Sequence, residues 1–204
     1  MTNKEKYISL LTSVPNTDGL VEWLCKTDFF TAPASTKYHN SFEGGLVAHS
    51  LAVLSELRAS KNAKLFTDES IIKVALLHDL CKANTYLRTI KPQKSYETEV
   101  VQSAKPYSIK RDDRGLYVWT NKETYEFKDD FPYGHGEKSV LLASRFLRLS
   151  EEEMMAIRWH MGAFDEAVKG GFNLSQVFER YPLALELHIA DLRASYLVEK
   201  REKN

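Results

Sequence analysis

Cysteine is nearly absent, with Cys25 and Cys81 the only two in 204 residues. Two thiols supply neither a disulfide framework nor a cysteine-rich zinc site, and they point to a reducing, cytoplasmic setting. Net charge is missing as well, since 28 basic residues face 28 acidic ones. That balance excludes the strongly basic footprint of tight, indiscriminate nucleic-acid binding and leaves open only a local basic patch. No stretch approaches the ~20 consecutive apolar residues of a membrane span. The polar start "MTNKEKY" and the short apolar stretch 8–11 do not make a signal h-region. Internal repeats, low-complexity tracts and linkers are also lacking. The expectation is one soluble domain over 1–204, with no membrane partner, and long enough to bury a sizeable core. Its 43% hydrophobic and 27% charged residues are those of an ordinary globular protein.

Most of what is present has helical period. "KEKYISLLTSV", "DGLVEWLCKTDFF", "LVAHSLAVLSELRAS", "DESIIKVALLHDLCKA", "GEKSVLLASRFLRL", "SEEEMMAIRWHMG" and "YPLALELHIADLRASYLVEKREK" all read as helices. Asp68 and Glu69 suit a helix start, Ser150 with Glu153 makes a capping box, Gly162 is a C′ stop, and Pro182 fits a first turn. "TAPASTKYHNSFEGG" is loop-like, Gly44 and Gly45 serve the turn after it, and "EKREKN" reads as a fraying tail. One region differs. Over 106–128, "PYSIKRDDRGLYVWTNKETYEF" mixes aromatic and β-branched residues with "DDRG" and "NKE", the pattern of a β-hairpin or meander inserted into a mainly α domain. It is too poor in apolar residues for its own core, so it is expected to act as a flap on the helices.

Ionisable residues sit where the helical stripes predict core. His78 shares a face with Ile71, Val74 and Ala75, and His49 with Leu46, Val53 and Leu57. His160 follows Ala156 and Ile157, Asp191 lies with Ala184, Leu187 and Ala194, and His135 occupies the turn "YGHGEKS". A single histidine of this kind is ordinarily a satisfied core residue. A buried, unpaired aspartate costs several kcal/mol or loses its ionisation. Several such residues on separate helices compensate one another most simply by converging on a shared cation. Imidazole and carboxylate ligands without thiolates suit iron, manganese, zinc, nickel or magnesium.

The order His49 … His78-Asp79 … Asp191 resembles the HD superfamily of metal-dependent phosphohydrolases. The additional His135 and His160 are similar to the expanded pattern of members that hold two metals. "APASTKYHNSFEGGLVAHSL" resembles the opening of HD domains in bacterial exoribonucleases. "PYGHGEKSVLLASRF" and "LSEEEMMAIRWHMG" look like a group of bacterial and phage HD proteins described simply as hydrolases. The likeness covers about residues 28–196 and implies an HD-type helical bundle. It further implies His49, His78, Asp79 and Asp191 around one divalent ion, with Asp79 bridging to a second held by His135 and His160. Because neighbouring helical residues point about 100° apart, the doublet works best at a helix end. Lys82 falls where "HDxxK" proteins keep a lysine that meets substrate phosphate; its other reading is a solvated surface lysine. Members with a glutamate soon after the doublet use it in water activation, and "HDLCK" has none.

The implied activity is hydrolysis of a nucleotide phosphate ester or anhydride by a metal-activated water, with Asp79 and Lys82 catalytic and Lys82, Lys138 and His39 at the substrate. A 3′-5′ exonuclease-like phosphodiesterase on a short single-stranded RNA or DNA end is the alternative. An HD-type di-iron oxygenase and a non-enzymatic binding module stand behind it. His188 reads as outer support for the metal or as a hydrogen-bonded core residue. Arg145, Arg158 and Arg193, like Lys138, are phosphate-clamp candidates whose ordinary use is as solvated charges. Cys81 reads as a small packing residue. Tyr117, Trp119 and Tyr125 can stack on a base or pack the insertion.

Overall fold

The structure is a computed structural model that describes residues 1–37, 40–171 and 173–199. The mainly α expectation holds, with ten α-helices and one small antiparallel sheet among the described residues. Contacts divide the chain into a helical unit, Met1–Tyr86 with the segment from Phe127 onward, and a second unit, Leu87–Glu126.

The helical unit contains α1 (Asn3–Leu11), α2 (Asp18–Lys26), α3 (Gly45–Ala59) and α4 (Asp68–Leu77) before the second unit. The second unit contributes a short helix, α5 (Thr98–Ser103). The helical unit then resumes with α6 (His135–Ala143), α7 (Glu151–Trp159), α8 (Glu166–Lys169), α9 (Leu174–Arg180) and α10 (Pro182–Arg193). Helix α3 packs on α4 and α10, and α7 packs on α6 and α10. The stripes read from sequence face inward: Leu46, Val53, Leu57, Val74, Ala75, Ala156, Ile157, Ala184 and Leu187 are all fully enclosed. Ser150 and Glu153 form the expected capping box. At α4 the cap is Thr67 rather than Asp68; its hydroxyl accepts from the Ser70 N–H, leaving Asp68 and Glu69 in the first turn, where they favour the helix dipole.

Two glycines set how closely the helices meet around the site. A Cβ on Gly136 would lie 2.1 Å from the Arg158 carbonyl, so only glycine lets the start of α6 settle against the end of α7. Gly162 turns the chain after α7 with φ +53°, and a Cβ there would strike the His188 ring at 2.5 Å. Helix α1 is tied to α4 by Tyr7, fully buried between Phe29 and Phe30, whose hydroxyl donates to the Leu76 carbonyl at 2.7 Å.

The second unit carries β1 (Tyr86–Ser95), β2 (Lys110–Asp112) and β3 (Gly115–Phe127), ordered β1-β3-β2. The β region therefore begins at Tyr86 rather than near residue 106. Strand β1 escapes a period-2 reading because "YLRTIKPQKS" is mostly polar and holds Pro92, which an edge strand tolerates. Asp113 and Arg114 form the β2–β3 turn, with Asp112 opposite Gly115. Tyr117 packs on Tyr96 and Trp119 within this unit, and Trp119 stays half exposed. Where the chain leaves and rejoins the helical unit, the Lys128 N–H donates to the Thr85 carbonyl at 2.8 Å. The Tyr86 and Phe127 rings meet edge to face beside that bond.

Burial pushes the Tyr7 phenol well above its ordinary 10.0. Its stabilising contribution is complete below that value and is lost as pH rises through the elevated folded-state value. Replacing Tyr7 with Phe is expected to lower the unfolding free energy by about 1–3 kcal/mol at neutral pH, because a buried carbonyl loses its donor. Urea denaturation checks this; an unchanged midpoint would show that the bond contributes nothing.

Candidate metal centre

Helix α4 ends where the chemistry begins. His78 is its C-cap, and Asp79 (φ −107°, ψ 21°) breaks the helical path before a 3-10 turn, Leu80–Lys82. That break lets two adjacent side chains serve one site. His160 is likewise the C-cap of α7. Both rings hold their Nδ1 against the carbonyl three residues back, His78 on Ala75 at 2.9 Å and His160 on Ile157 at 2.7 Å. A carbonyl can only accept, so Nδ1 carries the hydrogen in each ring and the Nε2 lone pair is left for the centre.

The six residues singled out as metal ligands come together. His49 Nε2 lies 3.1 Å from His78 Nε2, 3.2 Å from Asp191 Oδ1 and 3.5 Å from Asp79 Oδ2. Asp79 Oδ1 faces the other pair, 2.8 Å from His135 Nε2 and 3.6 Å from His160 Nε2. One carboxylate thus addresses His49 and His78 with one oxygen and His135 and His160 with the other. His49, His78, Asp79 and His160 are buried to 1% exposure or less.

Such a cluster demands positive charge. Burial opposes a charge on His49, but the Asp191 and Glu199 carboxylates outweigh it and lift the ring to about 9. At His135 burial is overcome by Cys81 and Asp79, which raise the ring to about 10. Burial prevails at His160 and pulls it down to about 4. Burial also works against the charges of Asp79 and Asp191, yet Lys82 with the neighbouring histidines holds the Asp79 carboxyl low, and His49 with the rings of His78 and His160 holds that of Asp191 low. Two features fit a cation. His160 Nε2 is buried without a hydrogen-bonding partner among the described residues, and Asp79 Oδ2, buried beside it, meets only the Lys82 ammonium at 2.7 Å and the His49 and His78 rings at 3.5 and 3.4 Å. His49, His78 and Asp79, and separately Asp79, Cys81 and His135, present ligand atoms within 4.8 Å of one another. The buried His, Asp and Cys groups can hold a metal ion.

Around these residues is a cavity of about 690 Å³, walled by Ala34, Tyr86, Phe127, Met161 and Phe164, with His49, Asp79, His135 and Asp191 at its polar end. Lys82 also lines it and is not a solvated surface lysine: Nζ stands 2.7 Å from Asp79 Oδ2 and donates to the Ala34 carbonyl at 2.8 Å. Lys138 is buried and paired with Asp129 at 2.5 Å, lining a smaller neighbouring cavity with His135. His39 lies outside the described residues. Arg158 is pinned between Glu137 and Asp165 and stacked on Trp159, so it is a bracing residue rather than a solvated charge or a phosphate clamp. Arg193 pairs with Glu56, and Arg145 is exposed. His188 supports the centre indirectly, its Nδ1 donating to the His160 carbonyl at 2.6 Å.

Glu199 was missed, having been read as tail. After α10 the chain makes a π-helical turn, Ala194–Val198, closed by the Glu199 N–H on the Ala194 carbonyl. That turn carries the Glu199 side chain, 3% exposed, back to His49, where Oε1 accepts from Nδ1 at 2.7 Å. Only the polar residue five places beyond the Ala194 position of the stripe hinted at it, and a π-turn has no such sequence signature.

No protein-family model, no curated protein and no solved structure matches the chain. No helix among the described residues is long and apolar enough to cross a membrane.

Glu199→Ala is expected to weaken metal binding roughly 10–100-fold, the usual effect of losing a carboxylate behind a ligating histidine. Glu199→Gln, whose amide oxygen still accepts from Nδ1, should recover part of the loss. Competition against a chelator of known affinity measures both; equal affinity in all three proteins would remove Glu199 from the centre.

Proposed function

We propose that the chain is a cytoplasmic, HD-type metal-dependent phosphohydrolase that cleaves a phosphate ester or anhydride of a nucleotide. The observation that carries this reading is one aspartate shared by four histidines at the polar end of a cavity sized for a small ligand. His49, His78, Asp79 and Asp191 would hold one divalent cation, and Asp79, His135 and His160 a second. Bound cations supply the positive charge that brings a water towards ionisation at neutral pH and neutralises phosphoryl oxygens.

The chain's own groups divide the remaining work. Asp79 presents both oxygens, neither of which can rotate freely with Lys82 on one side and His135 on the other. The Nδ1 bonds of His78 and His160 fix their rings before any ligand arrives, so that no reorganisation is needed during the reaction. Lys82 Nζ, held by Asp79 and the Ala34 carbonyl, keeps one N–H for a phosphoryl oxygen in the cavity. Tyr86, Phe127 and Phe164 provide ring faces and edges for a base. A cavity of about 690 Å³ supports a mononucleotide over a polymer. An oligonucleotide end is the competing substrate, and a digest of labelled oligonucleotides beside a mononucleotide panel separates the two.

His78→Ala and Asp79→Ala are expected to abolish turnover and to lose metal together while keeping the helical circular-dichroism spectrum. Elemental analysis of protein purified without added metal, followed by the phosphatase panel, makes the measurement. Full metal content with full rate in either variant would overturn the assignment.

A further inference from the structure

Cys81 stands apart from the packing role expected of it. It follows Asp79 by two residues, and an unbroken α-helix would turn two such residues about 200° apart. The break at Asp79 brings both to one imidazole instead. Asp79 Oδ1 is 2.8 Å from His135 Nε2, while Cys81 Sγ is 3.3 Å from Nδ1 and 3.7 Å from Nε2 of the same ring. The Cys81 N–H donates to the buried Ser139 hydroxyl at 3.1 Å, which fixes the backbone carrying the sulfur. Cys81 is 5% exposed, and its sulfur lies against the ring nitrogens of His135, whereas a packing cysteine faces apolar neighbours.

The separations suit a cation. With metal–sulfur bonds of about 2.3 Å and metal–nitrogen bonds of about 2.0–2.1 Å, tetrahedral ligation puts sulfur and nitrogen about 3.5 Å apart. The Cys81 Sγ to His135 Nε2 distance is 3.7 Å, and the Asp79, Cys81 and His135 ligand atoms all fall within 4.8 Å. A fourth donor is at hand independently of the cysteine. His160 Nε2 is fully buried, has no hydrogen-bonding partner among the described residues, and points towards Asp79 Oδ1 at 3.6 Å.

We propose that Cys81 is a metal ligand, its thiolate joining Asp79, His135 and His160 around the second cation and selecting a borderline-soft ion such as zinc, iron(II) or cobalt(II) over magnesium. The inference rests on the metal-binding reading above and narrows it. Coordination releases the thiol proton to solvent, so the sulfur enters as an anion and offsets charge that two divalent ions would otherwise leave uncompensated. Thiolate is a poor partner for magnesium, which favours oxygen ligands and retained water.

Cobalt(II) added to the metal-free chain provides the test. The wild type and Cys25→Ser should both show a near-ultraviolet sulfur-to-cobalt charge-transfer band that excess magnesium does not remove. Cys25→Ser alone is decisive, because it leaves Cys81 as the sole cysteine of the chain. Cys81→Ser should lack the band and bind one cobalt equivalent more weakly by more than the roughly 10–100-fold that loss of an outer-shell partner costs. Bound cobalt with visible d–d bands but no charge-transfer band in Cys25→Ser would overturn the ligand role of Cys81 and leave the metal centre standing. Displacement of the band by magnesium would overturn the selectivity. A chain that takes up no cobalt would sink the metal reading itself.

Discussion

The structure depends on how a buried carboxylate is compensated at the end of α4. Asp79 is 1% exposed and surrounded by His49, His78, His135, His160 and Lys82, which arrive from three other places in the chain as well as its own. A charge so placed is tolerated only if its partners are held in good pairing geometry. The apolar packing of α3, α4, α7 and α10 supplies that fixity. Core and centre are therefore not separate layers: the same helices that bury leucine on one turn present histidine on the next.

Main-chain geometry does much of the positioning. His78 and His160 both sit at helix C-caps, where carbonyls lacking helical partners are free to accept from Nδ1. His188 then takes up the carbonyl of His160 itself. Two helix ends that would otherwise leave polar backbone buried are satisfied by the rings they orient. Gly136 and Gly162 belong to the same economy, since each removes a Cβ where ring or backbone must come close.

Much of the site was legible in the sequence for one reason: helical spacing converts position into direction. His49, His78, His160 and Asp191 were marked because they interrupt stripes of Leu, Val, Ile and Ala, and the distances between their side chains agree with that marking. What was illegible depends on departures from regular spacing. Glu199 reaches His49 through a π-turn, and Cys81 reaches His135 through a broken helix end. Lys82 looked equally suited to solvent because nothing local foretells the Ala34 carbonyl, nearly fifty residues earlier, that captures it. Strand β1 was missed because its partner β3 lies across a helix and a turn, and its own residues are mostly polar.

The junction at Thr85 and Lys128 has an architectural consequence. Their main chains are hydrogen-bonded to each other, so the segment between them starts and finishes at almost the same point in space. A loop whose ends are already joined imposes little entropic strain on its host, whatever its length. Inheritance can accordingly lengthen, trim or recast the segment 87–126 while the bond between Thr85 and Lys128 stays in place, and variation among descendants of this chain has a natural outlet there.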